Sequence, residues 1–382
     1  MCQKREVDAV KVLHVLTLVG ENGEYGGPVK VAREFLTACQ TNAIELTIIA
    51  GSSNKHKKNS LTEIVRPVYK WVPTKSVSGY FSFSLGLKLL TEIRKADLVH
   101  LHFARDLIQI FAGAVCLVFQ IPYFTQTHGM VRKKNRIISN LIDLVAVRPI
   151  LKKAHYNLVL SSSETADLEE LIDISNTRIL PNGIHVPEEM DSLESNLLPY
   201  RIVFCSRLHH TKGLLKFVEL AIYSKNDSRF IFEIYGSDGG ELSFILEKIE
   251  ELGPLSNLNY GGSLRPKDVS ELLKNTSLLI LPSNYDPYPM IALEALSLGT
   301  PCLVSSACGN STVISEIDEK FVISDLSAES MFLRMQQITA EDRSQSRRDE
   351  IRNKARDLFS IEKVWKKLEN FYLGNLDKPQ YD

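Results

Sequence analysis

Short apolar runs rich in β-branched residues recur along the first half of the chain: Val10–Leu18, Ile44–Ala50, Asp97–Leu101, Tyr123–Thr127 and Tyr156–Ser161. They are near-continuous rather than alternating, which is the signature of strands covered on both faces. Amphipathic segments lie between several of them, and strand–helix alternation predicts a parallel sheet with helices on either side. The rhythm breaks at Pro181–Leu198, where prolines, a glycine and many acids read as a linker. A second cycle follows, with strands expected at Tyr200–Ser206, Phe230–Gly236, Ser277–Pro282 and Pro301–Ser305 and helices near 212–224, 239–252, 266–274 and 289–298. The last segment, Phe359–Leu373, places Ile361, Val364, Trp365, Leu368 and Tyr372 on one helical face. The fold class is therefore α/β: two doubly wound, Rossmann-like domains over 1–183 and 200–358, joined by 184–199 and followed by a C-terminal helical segment, 359–382. Two such domains facing each other make a cleft, and doubly wound sheets bind ligands beyond the carboxyl ends of their strands.

Leu107–Met130 carries no Asp, Glu, Lys or Arg. Gln109, Gln120 and Pro122 interrupt it, so it reads as a buried helix (about 107–119) and a strand (123–127) rather than a membrane span. Composition is that of a soluble globular protein, 44% hydrophobic and 24% charged, which excludes a largely disordered chain. The six cysteines are scattered, with no Cys-x-x-Cys pair, so neither a disulfide framework nor a zinc site is expected. The first residues lack the apolar core of a signal peptide. A net charge of −1 conceals an asymmetry. Residues 1–160 hold 22 basic and 11 acidic residues, the remainder 23 and 35. The front half is thus suited to an anionic surface.

Four segments carry candidate chemistry. Leu18–Pro28 ends in Gly26-Gly27-Pro28, where glycines admit a close ligand and a helix start offers backbone N–H groups; a plain glycine turn is the alternative. It is not the Gly-x-Gly-x-x-Gly dinucleotide fingerprint. Thr125-Gln-Thr-His128-Gly129 puts a histidine at the ligand edge of a strand, unless that histidine is merely hydrogen-bonded in place. Arg207 and Lys212, in Ser206-Arg-Leu-His-His-Thr-Lys-Gly213, can converge on one anionic group such as a phosphate; a solvated basic turn is the alternative. The most specific segment is Asn284-Tyr-Asp286-Pro-Tyr288-Pro-Met290-Ile291-Ala-Leu-Glu294, running on to Gly299-Thr-Pro301. Glu294 sits in an apolar helix, where a carboxylate needs hydrogen-bond donors, and ribose hydroxyls would serve.

Taken in order, the Gly-Gly-Pro loop, His128-Gly129, Leu180-Pro-Asn182-Gly183, Arg207-x4-Lys212-Gly213 and the Asp286-x7-Glu294 segment resemble the retaining glycosyltransferases of family 4, with the GT-B architecture, over nearly the whole chain. One departure stands out. Asp286-Pro287-Tyr288 replaces the family's Glu-Gly-Phe.

The resemblance implies a nucleotide-sugar donor and no metal or other cofactor. Arg207 and Lys212 would bind the diphosphate, and Glu294 the ribose. Asp286, with the backbone of Tyr288, Met290 and Ile291, would contact the transferred sugar. His128 would lie near the sugar's C6 hydroxyl, Gly26 and Gly27 would leave room for phosphate, and Gly236 joins the donor-binding set. Configuration would be retained by front-face attack, and the C-terminal helix would return to the first domain. A glycan or lipid-linked acceptor in bacterial surface polysaccharide assembly is expected, in the cytoplasm or at the inner face of its membrane, with no nucleic-acid partner. A same-fold epimerase and a non-catalytic binding subunit stay open as alternatives.

The basic run Arg132-Lys-Lys-Asn-Arg136 leads into a helical stripe of Ile137, Ile138, Leu141, Ile142 and Val145, with Lys152 and Lys153 at its end. The stripe either docks on an anionic bilayer or packs in the core with a solvated basic end. Phe81, Phe83, Leu85 and Leu87 are a second candidate for such docking, or pack in the core or near the acceptor cleft.

Overall fold

The computed structural model describes residues 9–20, 27–39, 43–54, 58–73, 77–133, 137–173, 175–188, 198–253, 257–341 and 344–376. Gly26, Lys134, Asn135, Arg136 and residues 189–197 of the expected linker lie outside the described residues. The chain forms two compact units, Met1–Gly183 with Ile361–Asp382, and Ile184–Ser360.

The first unit holds strands β1 (Val10–Leu18), β2 (Ile44–Ser52), β3 (Lys58–Asn59), β4 (Glu63–Pro67), β5 (Tyr69–Lys70), β6 (Tyr80–Phe81), β7 (Leu98–His102), β8 (Tyr123–Gln126), β9 (Tyr156–Val159) and β10 (Thr177–Ile179). Its helices are α1 (Gly27–Ala38), α2 (Phe83–Ile93), α3 (Leu107–Phe119), α4 (Ile137–Ile142), α5 (Arg148–Lys153) and α6 (Ser162–Glu169). The main sheet runs β10-β9-β8-β7-β1-β2-β4-β3 and is parallel except for β3. The order turns back at β1, between β2 and β7, which makes the carboxyl ends of β1 and β7 the switch point. Asp106 starts α3 by accepting from the N–H groups of Ile108 (3.1 Å) and Gln109 (3.0 Å), and Gln120 ends it at φ 54°.

The second unit holds β11 (Tyr200–Cys205), β12 (Phe230–Tyr235), β13 (Leu258–Gly262), β14 (Leu278–Leu281), β15 (Cys302–Ser305) and β16 (Val322–Ile323). Between and after them come α7 (Leu214–Tyr223), α8 (Leu242–Leu252), α9 (Pro266–Lys274), α10 (Met290–Ser297), α11 (Ser311–Ile317), α12 (Ala328–Ala340) and α13 (Gln345–Phe359). Its sheet is wholly parallel in the order β13-β12-β11-β14-β15-β16, so its switch point lies between β11 and β14. Ile184–Glu188 are tied to this unit: the Ile184 N–H donates to Phe359 (3.1 Å), and Arg356 Nη2 donates to the Pro187 carbonyl (2.6 Å). The last helix, α14 (Ile361–Leu376), belongs to the first unit. Ile361, Val364, Trp365, Leu368 and Tyr372 are all buried there, each such burial being worth about 1.5–3 kcal/mol.

The structure decides between readings that the sequence left open for two apolar sets. The stripe after the basic run is not core: Ile137, Ile138, Leu141, Leu144 and Val145 are between 59% and 88% exposed. A π-helical turn, Asp143–Val147, separates α4 from α5 and turns Asp143 inward to a buried pair with Arg105 (2.5 Å). The opposite face of the same segment is therefore the inner one. Of the second apolar set, Leu85 is buried and Phe81 partly so, but Phe83 and Leu87, one helical turn apart, face outward.

Candidate functional site

In the second unit, the residues singled out in the sequence gather at the β11/β14 switch point. The loop after β11 is stitched to the loop after β14. The Thr211 carbonyl accepts from the N–H groups of Asn284 (2.9 Å) and Tyr285 (3.2 Å), and Asn284 Nδ2 donates to His210 (3.2 Å). Gly213 makes this approach possible. At φ 72°, a Cβ there would stand 1.8 Å from the Pro282 carbonyl oxygen. Gly236 answers the same demand after β12, where a Cβ would stand 1.8 Å from the Ser206 oxygen. The chain itself accounts for this glycine.

The stitched loops set Lys212 Nζ 2.6 Å from an Asp286 carboxylate oxygen. Arg207 is exposed on the same loop as Lys212. The Asp286 loop is braced from behind: its carbonyl accepts from Gly309 (2.9 Å), and buried Asn310 donates to the Pro289 carbonyl (3.1 Å). Asn310 was not singled out in the sequence. Tyr288 is buried, and its hydroxyl meets no partner among the described residues. Helix α10 opens at Met290 with no side-chain cap. Glu294 is half-buried rather than enclosed. Burial, followed by the nearby Glu294 charge, pushes the Cys205 thiol up to about 12. Cations, carboxylates and an open helix start on one sheet edge suit a ligand that carries both negative charge and hydroxyls.

The first unit carries His128 and Gly27. A Cβ on Gly27 would meet nothing within 4 Å, so packing does not demand a glycine there. His128 follows β8 in the left-handed region (φ 48°), with Gly129 beside it at φ 70°. The buried Glu164 carboxylate holds this turn by accepting from the Gly129 N–H and the Thr127 hydroxyl, and from Leu160 N–H (2.6 Å). Left-handed non-glycine residues cost energy and cluster where function demands them.

His128 also ends a buried chain of rings. Its Nε2 is 2.8 Å from His102 Nδ1; His102 Nε2 is 3.0 Å from His14 Nδ1; His14 Nε2 is 2.9 Å from the Tyr372 hydroxyl. That hydroxyl is 2.5 Å from His100 Nδ1, and His100 Nε2 is 3.2 Å from Gln126 Oε1. Burial lowers the pKa of all four histidines, to about 3 for His100 and His128, so they are neutral. Sequence reading missed His14, His100, His102, Glu164 and Tyr372 as site residues. The one available signal was His100-Leu-His102, since a spacing of two puts both rings on one face of a strand.

Comparison with known proteins places this geometry. The model for glycosyl transferases group 1 matches residues 186–358, and that for Glycosyltransferase Family 4 matches residues 25–187. The chain belongs to the family 4, group 1 glycosyltransferases. It is 23% identical over 320 residues to the Escherichia coli UDP-Gal:alpha-D-GlcNAc-diphosphoundecaprenol alpha-1,3-galactosyltransferase, covering 76% of this chain and 78% of that one. Among solved structures, Anabaena HepE in complex with UDP and glucose superposes with a TM-score of 0.71 at 13% identity, over 95% of this chain and 99% of that one. WaaG, a glycosyltransferase involved in lipopolysaccharide biosynthesis, gives 0.66 at 16%, over 95% and 100%. The architecture of this glycosyltransferase is GT-B, two parallel-sheet α/β domains.

Proposed function

We propose that this glycosyltransferase transfers a sugar, with retention, from a nucleoside diphosphate sugar to a lipid-linked glycan in surface-polysaccharide assembly. The observation that carries the reading is the Lys212–Asp286 pair at the switch point of the second unit, with Arg207 on the same loop. Lys212 and Arg207 bind the diphosphate and neutralise the charge that grows on it as the glycosidic bond breaks. Such stabilisation acts on rate as well as affinity. Two cations at this place perform that task without a metal. Glu294 accepts from the ribose hydroxyls. Asp286, relieved of part of its pairing when phosphate engages Lys212, accepts from a hydroxyl of the sugar, with N–H groups of Tyr288, Met290 and Ile291 alongside. In front-face transfer the departing phosphate takes the acceptor's proton, so no side-chain base is required.

The exposed stripe supports an acceptor met at a membrane surface. Ile137, Ile138, Leu141, Leu144 and Val145 face solvent, with Arg132 and Lys133 before them and Lys152 and Lys153 after them, all exposed. A contiguous apolar stripe flanked by cations fits an anionic bilayer, on which it lies without spanning. No helix among the described residues is long and apolar enough to cross a membrane.

The test is a binding and turnover panel of UDP-galactose, UDP-glucose and GDP-mannose with wild type, Arg207→Ala and Glu294→Ala. One donor should bind, at 100 times its Kd stabilising by about 2.7 kcal/mol, and both variants should lose it. Binding without turnover would instead support the binding-subunit reading. In flotation, wild type should rise with anionic phosphatidylglycerol vesicles, and Ile138→Asp/Leu141→Asp should not. Equal flotation of both would refute the bilayer contact.

A further inference from the structure

The first unit holds a cavity of about 210 Å³ beside the end of β1, on the β2 and β4 side of the switch point and away from β8, which leads to His128. Gly20, Ser52 and three charged side chains, Arg33, Lys58 and Glu63, line it. Sites for whole small molecules run to roughly 300–1,000 Å³, so this one fits a group within a larger ligand. Glu63 is buried and both its oxygens are taken: Oε1 accepts from Arg33 Nη2 (2.8 Å), and Oε2 accepts from Lys58 Nζ. Burial pushes the Glu63 carboxyl up, but the bonds from Lys58 and Arg33 outweigh it and hold the group below the ordinary carboxylate range. Two cations against one ionised carboxylate leave the cavity positive. The arrangement is braced from outside. Ser60 fixes the turn between β3 and β4, its hydroxyl accepting from the Glu63 N–H (2.9 Å) and its N–H donating to the Glu63 carbonyl (3.0 Å). Arg66 Nη1 donates to the Lys58 carbonyl (3.2 Å). Arg33 comes from a different element, α1. One carboxylate thus holds side by side two cations that would otherwise repel. Their side chains are 46% and 48% exposed, and each keeps N–H donors beyond the one given to Glu63.

We propose that this cavity is a phosphoryl-binding site, in which Arg33 and Lys58 take a phosphate group of the lipid-linked acceptor. The identity of the ligand rests on the proposed sugar transfer, but the anion site is a property of the free protein. A half-exposed ion pair that only tied β3 to α1 would contribute little, and would need neither a cavity nor an excess of cation. Arginine brings a planar fork and lysine a mobile point charge, a pairing that suits a tetrahedral oxyanion. Ser52, only 2% exposed, adds a hydroxyl to the same cavity. A neutral sugar would leave the positive charge unmatched, and a cation would be repelled by it. Glu63 sets the strength of the site. It gathers the two cations before the guest arrives, which lowers the cost of binding, and it competes with the guest for them, so the anion is held reversibly. The chain then carries a basic pair in each unit, Arg207 with Lys212 for the donor and Arg33 with Lys58 for the acceptor.

The test is titration of the full-length protein with inorganic pyrophosphate, read by hydrogen exchange, in an Arg207→Ala/Lys212→Ala background that removes the second unit's basic pair. Exchange should slow in α1 and in the β3–β4 hairpin. Adding Arg33→Ala or Lys58→Ala should weaken that binding about tenfold, and Arg33→Lys, which keeps the charge, should restore part of it. Lys11→Ala removes the same charge at the amino end of β1 and should change nothing. No protection of α1 and the hairpin, or the same loss with Lys11→Ala as with Arg33→Ala, would overturn the anion site. The source of the phosphate is read separately, with Arg207 and Lys212 intact. A short-chain, soluble GlcNAc-diphospholipid analogue should bind and lose about tenfold in Arg33→Ala, whereas flotation with phosphatidylglycerol vesicles should match the wild type. Lost flotation with unchanged analogue binding would make the guest a bilayer headgroup and overturn the acceptor assignment. If pyrophosphate protects the hairpin but the analogue does not bind, the proposed acceptor fails and the anion site stands.

Discussion

The two units meet the same architectural rule with opposite chemistry. Both carry clustered polar side chains on or just beyond the parallel strands around their switch points. In the second unit these are charged side chains: exposed Arg207, half-buried Lys212 and buried Asp286 on the segments that follow β11 and β14, and half-buried Glu294 on α10. In the first they are neutral, buried rings on the strands themselves, His14, His100 and His102, ending at His128. Charge near solvent can exchange partners when an anion arrives. A neutral buried chain of rings has no charge to exchange. The first edge therefore stays uncharged, and the second suits a group that carries negative charge.

The sharpest way to break this contrast is to remove charge from one edge only. Lys212→Ala should lower kcat/KM about 100-fold, close to 3 kcal/mol of transition-state stabilisation. Steady-state kinetics with the donor found in the panel check this, and a loss under threefold would remove Lys212 from the diphosphate site. Next in size is Gly213→Ala. A Cβ 1.8 Å from the Pro282 oxygen, at φ 72°, forces the two loops apart. A stability loss of about 2 kcal/mol is expected for the second unit, read by hydrogen exchange of β11 and β14.

The histidines give a third test, on pH. Their native pKa values are depressed below the ordinary 6.5, to about 3 for His100 and His128. Below pH 6.5 the unfolded chain takes up protons that the native one refuses. The stability these rings confer is present above pH 6.5 and is lost as pH falls toward 3, at about 1.4 kcal/mol per pH unit for each ring. Buried Asp106, raised to about 7, and Glu164, also raised, act the other way, since their native forms hold protons the unfolded chain has released. Four groups outweigh two, so the first unit should weaken between pH 6.5 and 5. Both tryptophans, Trp71 and Trp365, belong to the first unit. Fluorescence-detected denaturation therefore follows that unit alone, and a midpoint unchanged between pH 7.5 and 5 would show that the rings are not neutral and buried.

How far the sequence could be read differs between the two edges for physical reasons. The central strands were legible because strands covered on both faces need continuous apolar runs, as in Ile44–Ala50 or Tyr123–Thr127. Thr177–Ile179 and Leu258–Gly262 were not, because edge strands bury little and carry polar residues or glycine. At the second edge the loop residues were legible as local motifs. Their pairing was not, since Lys212 and Asp286 are 74 positions apart and meet only because Gly213 admits the Pro282 carbonyl. The ring chain was illegible for a related reason: Tyr372 stands 358 positions from His14, and no local pattern connects them. The exposed stripe was half legible. Its periodicity was plain, but periodicity does not say which face is inward. The buried Arg105–Asp143 pair decides that.

That pair leads to the smallest expected effect, and the comparison lies within one stretch of helix. Leu141 is 59% exposed and Leu151 is fully buried, ten residues further on. Replacing an exposed apolar side chain removes no packing, so Leu141→Ser should change stability by less than about 0.5 kcal/mol. Leu151→Ala leaves a cavity in the core and should cost about 2–5 kcal/mol. Chemical denaturation followed by tryptophan fluorescence measures both in the same unit. If Leu141→Ser is as costly as Leu151→Ala, the stripe is interior and nothing is left for a bilayer to cover. A near-zero cost means that folding leaves these side chains unused, and an apolar surface that contributes nothing to the fold and is ringed by cations is kept for a partner outside the chain.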